Sequence, residues 1–266
     1  DNVAAALLSP DGTGGTQVHR YGDTTRVYEL ASVTKLLVAR AVLVAVEEGA
    51  IELDQPAGPP GSTIAHLLAH ASGVAFDSRT VQAPPATERI YSSAGYEWLA
   101  EIVEQATGFA FPDYLHEAVC APLGMTATVL HGPAGHGARS SVDDLAAFAA
   151  ELLTPRLLSA ETATAARQVA FGGIDGFVPG YGKHRPNDWG LGPELRGRKT
   201  PHWTAPGNSP QTFGHFGQAG TFLWVDPALS AACVVLTDKP FGPWAKPLWS
   251  EFNETLVTGL RSVDDR

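Results

Sequence analysis

Segments with the character of β-strands lie at both ends of this chain, and helical segments fill the middle. Residues 1–22 predict a hairpin around the turn Pro10–Gly15, and after about residue 210 three β-branched or aromatic segments follow one another. Together the two early strands and the three late strands would make one antiparallel five-stranded sheet with the closing helix packed on it. Its strands would be Val3–Ser9, Thr16–Tyr21, Gln211–Gly217, Gly220–Asp226 and Ser230–Thr237.

Helical periodicity is clearest in a long segment from about Ser32 to Glu48, which Gly49 ends, and in a closing segment at about Pro243–Leu260. Residues 172–210 are rich in Gly, Pro, Arg and Lys and predict long surface loops. Further helices are predicted at Ile64–Ala71, Ala94–Thr107, Tyr114–Cys120 and Val142–Leu153.

The resulting architecture is an α+β fold with the sheet interrupted by an insertion. We predict a sheet domain formed by residues 1–50 and 188–266, flanked by helices, with a mostly helical subdomain inserted at 51–187. The 266 residues allow one large domain or two small ones, and 44% apolar against 17% charged residues suits a chain with a packed core.

Charge and composition exclude several classes of function. The net charge of −10 would repel phosphate backbones and anionic lipid, so nucleic-acid binding is disfavoured. No apolar run approaches the ~18–20 residues of a membrane helix. The two cysteines do not form a disulfide framework and favour the cytoplasm, although Asp1 in place of Met is compatible with a removed targeting segment. His66 and His70 have no acidic or thiol partner nearby, so we expect no metal centre and no cofactor.

The first candidate for chemistry is Ser32, followed three residues later by Lys35 at the start of the long helix. That spacing places a hydroxyl and an amine on one helix face. A lysine whose pKa is lowered by burial can take the proton of a serine, and the helix start supplies N–H groups for an oxyanion. The alternative is an N-capping serine with a solvated lysine.

Two further segments could complete such a site. Tyr91 precedes the next good helix, and a phenol near an ammonium could have a lowered pKa and move protons. His215-Phe216-Gly217 lies in a late strand, where a glycine often marks the close approach of a ligand or backbone. Each also has an ordinary explanation, as a loop tyrosine packed on the core or as a hydrogen-bonded strand histidine.

In this order the three segments resemble the serine β-lactamase and penicillin-binding-protein superfamily, in its class C and family VIII esterase branch. Ser32-x-x-Lys35 matches the nucleophile motif, Tyr91-Ser-Ser93 stands where the branch has Tyr-x-Asn, and His215-Phe-Gly217 stands where relatives have Lys-Thr-Gly or His-x-Gly. Two supporting stretches are His66–Gly73, similar to the family's Leu-Leu-x-His-Thr-Ser-Gly, and Pro122-Leu-Gly-Met125. The resemblance extends over about residues 27–260 and implies a β-lactamase/transpeptidase-like fold.

The resemblance also implies roles for individual residues. Ser32 would be the nucleophile, Lys35 and Tyr91 would move its proton, and the N–H groups of Ser32 and Gln218 would form the oxyanion hole. His215 and Gly217 would line the substrate site. His70 is expected to be structural.

Two positions depart from the family pattern. Ser93 replaces an asparagine that contacts substrate and the catalytic lysine in relatives, and Phe216 replaces a hydroxyl residue that helps to bind the substrate carboxylate. A phenylalanine cannot form that hydrogen bond. We therefore expect a serine hydrolase that forms an acyl-enzyme from a small-molecule ester or amide, and foremost a carboxylesterase on small neutral esters. The alternatives are a β-lactamase or D-alanyl-D-alanine carboxypeptidase, and a catalytically idle relative that binds a ligand; the oligomeric state is left open.

Overall fold

The computed structural model describes residues 2–264 as strands and helices arranged around one main sheet. The strands are β1 (Val3–Pro10), β2 (Thr16–Tyr21), β3 (Tyr28–Glu29), β4 (Val129–Leu130), β5 (Ala138–Ser140), β6 (Gly176–Val178), β7 (Gly182–His184), β8 (Glu194–Leu195), β9 (Phe213–Gly217), β10 (Thr221–Asp226) and β11 (Ala231–Thr237). The α-helices are α1 (Thr34–Glu47), α2 (Ile64–Leu68), α3 (Ser93–Thr107), α4 (Phe111–Leu115), α5 (Val142–Leu153), α6 (Ala160–Ala166) and α7 (Ala245–Asp264). A 3-10 turn at Ala31–Val33 leads into α1, and a π-helical turn at His116–Cys120 follows α4.

The main sheet joins the two ends of the chain, as the sequence predicts. Its strand order is β2-β1-β11-β10-β9-β8, and all neighbouring pairs are antiparallel. The first strand pairs directly with the last, with Val3 opposite Thr237 and Leu8 opposite Ala232. The predicted α+β fold class is therefore confirmed. The sheet has six strands instead of five, because the two-residue strand β8 adds to the edge at β9.

Alternate residues of the strands pack into two apolar clusters, one on each face of the sheet. On one face, Leu223 and Val234 pack with the apolar residues of α1 and α5, and on the other, Trp224 and Val235 pack with Trp249 of α7. Helix α5 contacts β1, β10 and β11 although it belongs to the segment that the sequence places in the insertion. The boundaries of that insertion stay a prediction.

Several predicted bounds shift by a few residues, and one prediction is wrong. Residues 172–210 are not simply surface loops, because Trp189, Glu194 and Trp203 are almost fully buried and β6, β7 and β8 lie in this stretch. Gly- and Pro-rich composition indicates irregular backbone, but it does not show whether that backbone is covered. Among residues 2–264, no helix is long and apolar enough to span a bilayer.

Candidate active site

A cavity of about 160 Å³ lies where the start of α1, the end of β9 and the segment before α3 come together. Five of its lining residues are ones that the sequence predicts for the active site, and they come from distant positions in the chain: Ser32, Tyr91, His215, Phe216 and Gln218. The lining residues are Ser32, Phe76, Tyr91, Val178, Pro179, Trp189, Glu194, His215, Phe216 and Gln218.

Ser32 is placed by a tight contact between the turn before α1 and strand β9. A Cβ on Gly217 would lie 2.3 Å from the Leu30 carbonyl oxygen, so only glycine allows the strand to approach this closely. The Thr221 hydroxyl donates to the same carbonyl over 2.9 Å. Ala31 has a φ of +46°, a conformation that costs a non-glycine residue about 1–2 kcal/mol. The surrounding contacts therefore hold a strained turn that presents Ser32 to the cavity.

Lys35 lies behind Ser32 and is completely buried. Its Nζ donates to the Gly135 carbonyl over 2.7 Å and to Ser93 Oγ over 3.1 Å, and it lies 4.6 Å from the centre of the Tyr91 ring. Burial lowers the pKa of Lys35 to about 7, with Glu97 opposing the shift. A neutral amine has two N–H groups and one lone pair, and both N–H groups are used here. The lone pair is left to accept a proton.

His70 organises the segment that carries Tyr91. Its carbonyl accepts from the Ile90 N–H over 3.0 Å, and its Nδ1 accepts from the Ser92 N–H over 3.1 Å. The His70 ring also packs against the Tyr91 ring, with 4.5 Å between centroids. These contacts agree with the structural role expected for His70.

A hydrogen bond of 3.3 Å joins the Tyr91 hydroxyl to Nε2 of His215. Nδ1 of His215 lies 2.7 Å from the Phe216 carbonyl oxygen, which can only accept, so Nδ1 carries the hydrogen and Nε2 accepts from Tyr91. Burial, together with the nearby Lys35, lowers the pKa of His215 to about 3, so the ring is neutral. With the Tyr91 hydrogen directed at His215, Tyr91 Oη is free to accept from Ser32, its other hydrogen-bond partner.

The suggestion that Lys35 lowers the pKa of Tyr91 is wrong. Burial raises the pKa of the Tyr91 phenol far above its ordinary value, and the hydrogen bond with Ser32 offsets this only in part. Tyr91 is therefore a neutral phenol at physiological pH. It can relay a proton, but it is not present as a phenolate base.

Ser93 and Gly135 form a close pair beside Lys35. A Cβ on Gly135 would lie 2.7 Å from the Ser93 Cβ, so the two backbones approach too closely for a larger residue at Gly135. Ser93 contacts the Lys35 amine with its short hydroxyl, and the Gly135 carbonyl is the second acceptor for that amine.

Phe216 lines the cavity, but most of its surroundings are other aromatic rings. It is buried among four rings at centroid distances of 5.0–6.0 Å. These rings are Tyr181, Trp203, Phe241 and Trp249. Phe216 is therefore part of the core under α7 as well as of the cavity wall.

Five lining residues belong to none of the sequence-predicted motifs: Phe76, Val178, Pro179, Trp189 and Glu194. Four of them lie in the stretch taken for surface loops. A buried acidic residue among Gly and Pro residues gives no periodic hydrophobic pattern. The one available signal is the close spacing of three residues that can carry charge, Glu194, Lys199 and His202.

The fold is that of the serine hydrolases related to β-lactamases. The sequence matches the profile of the Beta-lactamase family over residues 11–252, and the chain belongs to that family.

Known relatives extend over the whole chain or over part of it. One is a protein from Mycobacterium bovis whose crystal structure is described as a beta-lactamase, with 53% sequence identity to this chain. The superposition covers 97% of this chain and 95% of the M. bovis chain, with a TM-score of 0.94. An acyltransferase of Monascus pilosus is 31% identical over 36% of each chain. Penicillin-binding protein 4* of Bacillus subtilis is 28% identical over 40% of this chain and 31% of its own. The chain thus spans only about a third of these two curated relatives.

Proposed function

We propose that this chain is a serine hydrolase that acts through a covalent acyl-enzyme, and that its preferred substrates are small neutral carboxylic esters. The observation that carries the proposal is a small cavity with Ser32 on its wall and the buried amine of Lys35, whose pKa is about 7, behind it. An ester carbonyl in this cavity would lie next to the serine hydroxyl, and the N–H groups of Ser32 and Gln218 are the proposed oxyanion hole.

In the proposed mechanism, Ser32 Oγ attacks the carbonyl carbon while its proton passes to Tyr91 Oη, and the phenol hydrogen turns from His215 and passes to Lys35. His215 orients the phenol, and its pKa of about 3 makes it a poorer final acceptor than the lysine. Lys35 and Tyr91 then return the proton to the leaving alkoxide as the tetrahedral intermediate collapses. Water attacks the acyl-enzyme by the same route and releases the acid.

A β-lactamase is the second candidate, because the relative that is 53% identical is described as one. The cavity wall argues for neutral esters instead. His215 is neutral, unlike the lysine that some relatives have at this position, and Phe216 offers no hydroxyl for a substrate carboxylate. A missing hydrogen bond to a charged group costs about 1.5–3 kcal/mol.

Substrate preference provides the direct test. We expect wild-type kcat/KM for p-nitrophenyl butyrate to exceed that for nitrocefin, because the ester has no carboxylate that needs a partner. Phe216→Thr is expected to narrow the difference between these two kcat/KM values, because threonine supplies a hydroxyl for the nitrocefin carboxylate. Since the Phe216 ring also packs in the core, thermal denaturation of the variant is the control. A wild-type kcat/KM that is higher for nitrocefin would replace the esterase by a β-lactamase.

The pH profile tests the assignment of the base. Only neutral Lys35 accepts a proton, so kcat/KM for p-nitrophenyl butyrate should rise with pH through about 7 and level off above it. Below the pKa the rate should fall about tenfold for each pH unit. The Ser32→Ala protein serves as the blank for spontaneous hydrolysis. A flat profile, or a rise that begins only near the ordinary pKa of a phenol, would exclude Lys35 as the base.

A further inference from the structure

The cavity wall contains a buried carboxylate to which the proposed mechanism assigns no role. Glu194 is 1% exposed and lines the cavity together with Ser32 and His215. Its Oε1 accepts from Lys199 Nζ over 2.8 Å and from His202 Nε2 over 3.2 Å, and its Oε2 accepts from Trp203 Nε1 over 2.7 Å. These three donors come from the chain that follows Glu194, and none of them lines the cavity.

The hydrogens in this cluster can be assigned from its partners. The Thr204 N–H donates to Nδ1 of His202 over 3.2 Å, so Nδ1 is the bare nitrogen and Nε2 carries the hydrogen that Glu194 accepts. Lys199 also donates to the carbonyls of Asp188 and Leu195, each over 2.7 Å. A carboxylate has about four acceptor positions, and three are filled. The fourth is on Oε2.

The neighbours of Glu194 favour the ionised form of its carboxyl group. Burial alone would raise its pKa, but Lys199 and His202 together hold the pKa of the carboxyl well below its ordinary value. Among the ten lining residues in the described part of the chain, the other titratable groups are the neutral rings of Tyr91 and His215. Glu194 is therefore the charged group among these lining residues, and its counter-ion Lys199 is not one of them.

We propose that Glu194 is a specificity-determining residue that accepts a hydrogen bond from a hydroxyl or ammonium group of the substrate and disfavours a carboxylate at the same place. The inference rests on the proposed function for where the substrate binds. A bound carboxylate would lose its hydration without gaining a cationic partner, next to a like charge. A bound donor would fill the acceptor position of Oε2. The inference therefore extends the proposed substrate class from neutral esters to esters whose acyl or alcohol part carries a neutral or cationic hydrogen-bond donor.

Three amides of matched length test this without any turnover. We would measure calorimetrically the binding of 4-aminobutyranilide, butyranilide and succinanilic acid to the Ser32→Ala protein at about pH 8.5, where Lys35, with a pKa of about 7, is neutral. We expect the ammonium ligand to bind most tightly and the carboxylate ligand at least about tenfold more weakly than the ammonium one. Equal affinities, including no measurable binding of any of the three, would overturn the proposal, as would tightest binding of succinanilic acid.

A double variant assigns the selectivity to the ion pair. Glu194→Gln alone would leave the Lys199 ammonium buried without a counter-ion, so it is combined with Lys199→Met, and circular dichroism and thermal denaturation check the fold. In the Ser32→Ala background, the ratio of the affinity for the ammonium ligand to the affinity for the carboxylate ligand should fall about tenfold in this double variant. Retained selectivity in a folded double variant would overturn the role of Glu194.

Failure of the inference can be told apart from failure of the proposed function. Charge selectivity in binding with no ester turnover by wild type would contradict only the esterase. Turnover of p-nitrophenyl butyrate with no charge selectivity would contradict only the role of Glu194.

Discussion

Ser32→Ala is expected to lower kcat/KM for p-nitrophenyl butyrate by at least about 10⁴-fold, because it removes the atom that is proposed to form the acyl-enzyme. It should also abolish the mass increase that a fluorophosphonate gives by covalent attachment to the serine. Steady-state kinetics and intact mass spectrometry measure the two effects. Ser32 lies in the 3-10 turn before α1, which has no side-chain cap, so the loss of its hydroxyl should leave the fold intact.

The matched control for this change is Ser78→Ala, since Ser78 is exposed and its hydroxyl donates to the Thr80 hydroxyl. It should keep wild-type activity and labelling. Activity of Ser32→Ala within a few-fold of wild type, with normal labelling, would show that another residue is the nucleophile.

Lys35→Met is expected to lower kcat by about 10²–10⁴-fold, the range for loss of a general base. Methionine keeps much of the volume of the buried side chain and removes the amine together with its hydrogen bonds to Gly135 and Ser93. The effect should fall on kcat more than on KM, because the amine lies behind the cavity wall and not on it. The rise of kcat/KM with pH through about 7 should be absent in the Lys35→Met variant.

Lys183→Met is the control, because Lys183 is an exposed residue of β7.

Tyr91→Phe provides the contrast, since it keeps the ring near the Lys35 amine and removes only the hydroxyl bonded to Ser32 and His215. If Tyr91→Phe abolished turnover while Lys35→Met lost only a few-fold, the phenol and not the amine would be the base.

Local sequence signals predict the parts of this fold that depend on local interactions. Helix α5 occupies the predicted residues Val142–Leu153, because Ser141 caps it through the Asp144 N–H, and Gly108 ends α3 in the left-handed conformation with a φ of +75°. The late strands were predicted to within two residues of their bounds, since their β-branched and aromatic runs are separated by turn residues.

The cavity wall was harder to predict because non-local contacts determine it. Glu194 is buried with Lys199, His202 and Trp203 bonded to it, and those three residues lie in no strand or helix. The pKa of Tyr91 shows the same limitation. The sequence places a lysine near it, but the depth of burial, which outweighs that charge, is a property of the folded chain.

The pairing of β1 with β11 has a consequence for how the chain is made. Strand β1 is an inner strand of the sheet, yet one of its edges has no partner until residues 231–237 have left the ribosome. Pairings between segments so far apart form slowly, and a strand edge that waits for its partner is open to association with other chains. Ser32 and Tyr91 are likewise synthesised long before His215. For most of its synthesis the nascent chain therefore has its apolar helices but not the complete sheet. The proposed active site can form only near the end of translation.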